Sequence, residues 1–197
     1  MNKNDFINQE FEARVMVNEQ QYNEIKNYFL SLDIKKEYIT NVNEYFDLDD
    51  LFLTRNHIVL RTRLIDDNKR ELTLKIREEN CDLELNHILS NEEYDLFKKS
   101  GELPNSEIKN KLLQSNIDIS KLKFIVELKT ERIEIQFVDY LLVIDKNYYR
   151  NKIDFNIEVE SSSMELALSK LLTVIKPFGV EYKNSYVSKS RRAIYDL

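Results

Sequence analysis

From Phe11 to Val17 every second residue is apolar: Phe11, Ala13, Val15 and Val17 fall on one side of an extended chain, with Glu10, Glu12 and Arg14 on the other. Side chains alternate with a period of two in a β-strand, so such a segment shows hydrocarbon to one face and formal charge to the opposite one. The construction recurs. Arg61 and Arg63 share a side within Leu60-Arg61-Thr62-Arg63-Leu64, and Thr73, Lys75 and Arg77 stand opposite Leu72, Leu74 and Ile76. Thr130, Arg132 and Glu134 face away from Ile133 and Ile135, Asp145 ends the run Leu141-Leu142-Val143-Ile144, and Glu158 and Glu160 oppose Phe155, Ile157 and Val159. Basic pairs occupy the middle segments and acidic pairs the first and last.

A solvated outer sheet face usually mixes Thr, Ser and Gln among its polar positions, and its cross-strand ion pairs contribute only a few tenths of a kcal/mol. Here those positions are mostly charged and the signs are segregated by segment. The apolar faces also need cover, and amphipathic helices are available to supply it. Asn18 can cap a helix carrying Tyr22, Ile25, Phe29 and Leu32, and Ser90-Asn91-Glu92-Glu93 reads as a capping box whose helix Gly101 can end. Pro104 precedes a helix around Ile108, Leu112 and Leu113; a longer one from Met164 carries Leu168, Leu171, Leu172 and Ile175 and stops near Pro177 and Gly179. Strands are expected between Lys35 and Glu79, broken by turns at Asp47 to Asp50 and Asp66 to Lys69, and again at 123–136, 139–146 and 152–160. Helices covering the apolar faces from outside turn the ionic faces inward. The expected fold is therefore α+β: a closed antiparallel barrel with a charged lumen and helices packed outside.

Composition narrows the chemistry such a lumen can do. A chain of 197 residues, 42% hydrophobic and without repeats or linkers, suits one domain with a sizeable core. Its net charge of −6 leaves no general attraction for a polyanion, so nucleic acid is not an expected partner. Cys81 is the one cysteine, which excludes an internal disulfide and a multi-thiolate zinc site. With only Gly101 and Gly179, no glycine-rich loop can wrap a phosphate, and His57 and His87 have no metal-ligand spacing. No apolar run is long enough to span a membrane and the start lacks signal-peptide character, so a cytoplasmic location is expected. Clustered carboxylates suit hard cations such as Mg²⁺ or Mn²⁺, and converging Arg and Lys suit phosphate oxygens. Acid and base in one cavity imply a metal phosphate.

These residues also resemble a known family. Glu10-x-Glu12-x-Arg14 is similar to the E-x-E-x-K signature of CYTH domains, the triphosphate tunnel metalloenzymes, which include thiamine triphosphatases, inorganic triphosphatases and class IV adenylate cyclases. Tyr45-Phe46-Asp47, Arg61-x-Arg63, Thr73-Leu74-Lys75, Thr130-x-Arg132, Asp145, Glu158-x-Glu160 and Ser188-Lys189-Ser190-Arg191-Arg192-Ala193 follow in the family's order. Leu142 to Tyr149 looks most like the stand-alone CYTH proteins of low-GC Gram-positive bacteria, often labelled adenylate cyclases.

The resemblance implies one CYTH domain over residues 1–197, built as a closed eight-stranded tunnel that holds a small-molecule triphosphate. It implies phosphate contacts from Arg14, Arg61, Arg63, Lys75, Arg132, Lys189 and Arg192, and Mg²⁺ or Mn²⁺ held by Glu10, Glu12, Asp145, Glu158 and Glu160. Glu10, Glu12 and Arg14 are the catalytic candidates, with a carboxylate or a metal-held hydroxide orienting the attacking water. The implied activity is metal-dependent hydrolysis of inorganic triphosphate or a small organic one such as thiamine triphosphate. A class IV-type cyclase and a non-catalytic polyphosphate or nucleotide binder are the alternatives. Arg14 stands where the signature has lysine, and its planar fork is not a conservative exchange for a compact ammonium. Asn156 stands where relatives often have a further carboxylate. Arg77, Glu134 and Arg191 fit surface charges as well as a site, and Lys146 to Tyr149 fits a turn, so these are left out of the site.

Overall fold

The alternating segments pair edge to edge until no edge is left. In the computed structural model, which describes residues 3–79, 81–183 and 187–197, eight strands form a closed barrel. They are β1 (Asp5–Val17), β2 (Glu37–Asp47), β3 (Ile58–Ile65), β4 (Lys69–Arg77), β5 (Asp82–Leu89), β6 (Lys123–Gln136), β7 (Tyr140–Tyr149) and β8 (Lys152–Ser161). The order round the barrel is β1-β5-β4-β3-β2-β6-β7-β8, and every pairing is antiparallel. Closure removes the exposed edges that a sheet of this length would otherwise present. An eight-stranded barrel leaves an interior about wide enough for its own side chains or one small ligand.

Register decides which charges meet inside. Arg14 lies opposite Glu158 and Glu12 opposite Glu160, Glu10 opposite Asp82, Lys75 opposite Glu84, Arg63 opposite Asn43 and Arg132 opposite Asp145. A slip of one residue in any pair would turn its ionic row out and its apolar row in.

Among the described residues six α-helices flank the strands: α1 (Glu19–Ser31), α2 (Phe52–Arg55), α3 (Asn91–Ser100), α4 (Glu107–Gln114), α5 (Met164–Ile175) and α6 (Lys189–Tyr195). Asn18 and Ser90 form the expected capping boxes, and Gly101 ends α3 at φ 73°, the left-handed region in which glycine carries no side-chain penalty. Ile25 and Phe29 of α1 and Leu171 and Ile175 of α5 bury against Ile135, Leu142, Ile144, Ile157 and Val159. Phe97 of α3 and Ile108 and Leu112 of α4 bury against Leu60, Leu72, Leu74 and Leu85. The main cores thus sit between barrel and helices. Ala193 of α6 packs instead with Tyr45, Val126, Leu128 and Tyr149, so this last helix stoppers one end of the barrel.

Several sequence expectations need correcting. Lys146 to Tyr149 is not a turn but the end of β7, and the chain reverses just beyond it, where Arg150 takes φ 49°. Leu113 and Leu172 lie on exposed faces of their helices. Strand β5 and helices α2 and α6 were not anticipated: β5 is interrupted in pattern by His87, and α2 and α6 are too short to show helical periodicity.

Candidate active site

Alternation along β1, β3, β4, β5, β6 and β8 sends their charged residues into one cavity of about 410 Å³. Its walls include Glu10, Glu12, Arg14, Arg61, Arg63, Lys75, Arg132, Glu158, Glu160 and, from α6, Lys189.

One side is acidic. Carboxylate oxygens of Glu12, Glu158 and Glu160 lie within 4.8 Å of one another. Burial, then the charges of Glu10, Glu12 and Glu158, pushes the Glu160 carboxyl up to about 8. Burial lifts Glu10 above the usual carboxylate range as well, with Glu84 and Glu12 adding to it against the pull of Lys75. Glu158 goes the other way: burial opposes its ionisation, but Arg14, Lys189 and Arg132 together hold it well below the ordinary value. Carboxylates gathered at an oxygen-only site fit a hard divalent cation, which would offset both the burial and the repulsion that raise the Glu160 pKa.

The opposite side is basic and short of counter-charge. Among the described residues no carboxylate lies within ion-pair distance of Arg63, whose Nε donates to the amide oxygen of Asn43 at 2.9 Å. Burial and the nearby Arg61 and Arg132 push its guanidinium down to about 10. Among the described residues Arg61 reaches only the edge of Glu84, at 3.5 Å, and its buried Nε has no hydrogen-bond partner. A buried fork with an unused donor calls for an oxyanion.

Other cations are already engaged. Lys75 Nζ sits among Glu10 (2.7 Å), Asp82 (3.0 Å) and Glu84 (3.4 Å), and although burial opposes its charge, the surrounding carboxylates raise its pKa well above the ordinary value. Arg14 spans Glu12, at 3.1 Å, and Glu158. Arg132 binds both oxygens of Asp145, at 2.9 and 3.0 Å, and Glu158 at 3.2 Å. Lys189 pairs with Asp145 and, at 3.0 Å, with Glu158.

The sequence model of the CYTH domain matches residues 8–189. The chain belongs to the CYTH family. It is 29% identical over 177 residues to a Bacillus subtilis protein named "Putative triphosphatase YjbK", covering 89% of this chain and 90% of that one. The barrel superposes on a Bacillus halodurans protein described as a "putative adenylate cyclase" with a TM-score of 0.84 at 27% identity, covering 94% of this chain and 97% of that one. It also superposes on HpAC1 from Hippeastrum, described as having a dominant triphosphatase activity, at a TM-score of 0.79 and 18% identity over 95% and 96% of the two chains.

Set against the CYTH expectations, the cavity collects Glu10, Glu12, Arg14, Arg61, Arg63, Lys75, Arg132, Lys189, Glu158 and Glu160. Two residues depart. Arg192 is not among the lining groups: its guanidinium is buried and grips Asp154 with Nε and Nη2, at 2.7 and 3.1 Å. Asp145 is fully buried, is not among the lining groups, and pairs with Arg132 and Lys189 behind the cavity wall. Asn156 donates to Asp145 at 3.3 Å and to Glu158 at 3.2 Å. Arg77 and Arg191, set aside from sequence, do line the cavity. Asp82 and Glu84 also line it and were missed; the signal was present in Asp82-Leu83-Glu84-Leu85, which alternates as β1 does. Among the described residues no helix is long and apolar enough to cross a membrane.

Proposed function

We propose that this CYTH protein is a divalent-metal-dependent triphosphatase that hydrolyses inorganic triphosphate or a small organic triphosphate such as thiamine triphosphate. The observation that carries this reading is that one cavity holds both the Glu12–Glu158–Glu160 group and, across from it, the undercompensated Arg61 and Arg63. The YjbK name and the HpAC1 description support it from outside.

In this reading Arg61 and Arg63 take non-bridging phosphate oxygens, and Arg132, Lys189, Lys75 and Arg14 turn from their carboxylate partners toward the substrate as it enters. Mg²⁺ or Mn²⁺ held by Glu12, Glu158 and Glu160 supplies Lewis-acid polarisation and charge neutralisation when bound. The guanidinium groups stabilise charge on the phosphoryl oxygens as a water molecule attacks the terminal phosphorus and the bridging P–O bond breaks. Glu10, its proton affinity lifted by burial, accepts the proton of that water. Asp145 holds Arg132 and Lys189 in the cavity wall until substrate enters and itself touches no substrate. The whole of residues 1–197 acts as one CYTH domain in the cytoplasm, and nucleic acid is not a partner.

The test is phosphate release from tripolyphosphate with Mg²⁺ or Mn²⁺ and with chelator. Metal-dependent release that disappears in Glu158→Ala supports a triphosphatase. Tight binding without release would make the protein a binder instead, and cyclic AMP formed from ATP would make it a cyclase.

A further inference from the structure

Helix α6 is fastened at both ends. At its C-terminal end, Arg150 Nε donates to the carbonyl of Ala193 at 3.1 Å, and Tyr149 Oη to that of Leu197 at 2.9 Å. Toward its N-terminal side, Arg192 forms a two-point ion pair with Asp154 and ties back to the carbonyl of Val187 at 2.8 Å through Nη1, beside the contact of Arg191 Nη1 with His57 Nδ1 at 3.4 Å. Asp154 is itself held in place, accepting from Asn147 Nδ2 at 2.8 Å and sharing with the Leu197 oxygen the one proton of the Tyr149 hydroxyl, which lies 2.8 Å from Asp154. One helical turn before Arg192, Lys189 reaches into the cavity to Asp145 and Glu158. Asp154, Asn156 and Glu158 are successive residues of one face of β8, so the same strand grips α6 at Arg192 and meets its lysine at Glu158.

We propose that Asp154 is a positioning residue of the triphosphate site: by clamping Arg192 it sets the first turn of α6 so that Lys189 stands inside the tunnel. The proposal rests on the triphosphatase reading for what Lys189 does there, but not for the clamp itself. Neither Asp154 nor Arg192 is among the residues that line the cavity, so both act through Lys189. A two-point guanidinium–carboxylate pair fixes direction as well as distance, which a lone lysine contact cannot do. Asp154→Asn keeps the shape of the side chain and removes the charge that pairs with a buried Arg192, while the anchors of Ala193 and Leu197 persist.

The experiment is a double-mutant cycle on tripolyphosphate affinity, measured by calorimetry in Mn²⁺, with Asp154→Asn, Lys189→Ala and the pair, alongside hydrogen exchange of ligand-free protein. Each single change is expected to weaken tripolyphosphate about tenfold, and the double variant to be no weaker than Lys189→Ala within about twofold, since coupled residues are not additive. Exchange at residues 189–192 rises about tenfold in Asp154→Asn while the barrel strands keep their protection. Arg192→Lys, which retains the charge and loses the fork, should give the same pattern at smaller amplitude and stands in should Asp154→Asn fail to fold. Multiplying losses in the double variant, or unchanged exchange at 189–192, would overturn the proposal. Absence of tripolyphosphate binding by the wild type would sink the functional reading, and the exchange result would still decide the clamp.

Discussion

Glu160 is the residue whose behaviour most directly reports the crowding of acids in the barrel. With its folded pKa near 8, against about 4.5 in an unfolded chain, the fold keeps a proton that the unfolded chain has released. Folding stability from this group is therefore greatest below the unfolded value and declines as pH rises toward 8. Metal-free protein should lose thermal stability between pH 5 and 8.5, and Glu160→Gln should flatten that decline; a slope equal to wild type would show that Glu160 is not crowded. Mn²⁺ should raise the melting temperature of wild type at pH 8 and do so less for Glu160→Gln. Arg63 makes the complementary case. Because no carboxylate among the described residues lies within ion-pair distance of it, Arg63→Ala should reduce tripolyphosphate affinity at least tenfold while costing less stability than Arg132→Ala, which takes one of the cations paired with the buried Asp145 and Glu158 and leaves Lys189 and Arg14 to compensate them. Paired chemical denaturation and calorimetry on the two variants check the contrast.

At the scale of elements, α3 and the edge of β2 are tied through Glu44, which accepts from Lys98 (2.8 Å), Thr62 (2.8 Å) and Tyr94 (3.0 Å). Burial pushes this carboxyl up, but the three hydrogen bonds outweigh it and leave the pKa below its ordinary value. A depressed folded pKa contributes stability that is complete above the unfolded value and is lost as pH falls through the folded one. Glu44→Gln should remove part of the acid-side loss of stability and leave stability lower at neutral pH, as read from denaturant midpoints at pH 3.5 and 7. Elements with local signals were legible from sequence: the capping boxes at Asn18 and Ser90 and the glycine stop at Gly101 place α1 and α3 without any tertiary knowledge. Helix α2 was not, because its N-terminus is capped from a distance by Asp47, which accepts from Leu53 N at 2.8 Å and Thr54 N at 2.9 Å. Asp47→Ala should cost about 1–2 kcal/mol and disturb the cavity wall at Thr54 and Asn56.

The whole molecule follows from period-two alternation combined with helices that cover only hydrocarbon. That combination made the barrel legible, and with it the inward course of Glu12, Arg61 and Glu158. What it could not give is who pairs with whom, since sign and spacing do not distinguish a cation awaiting phosphate from one spent on a carboxylate. Arg192 and Asp145 carry the right chemistry in the right motif, yet the packing of α6 on β8 sets the first against Asp154, while pairing of β6 with β7 sets Arg132 against the second. The central claim is that the inward charges form one binding chamber for a metal triphosphate. Its most direct measurement is a crystal structure with tripolyphosphate and Mn²⁺. The account predicts phosphate oxygens within hydrogen-bond distance of Arg61, Arg63 and Arg132, with the ion on Glu12, Glu158 and Glu160; a ligand seated on the outer surface, or an ion remote from those three carboxylates, would contradict it.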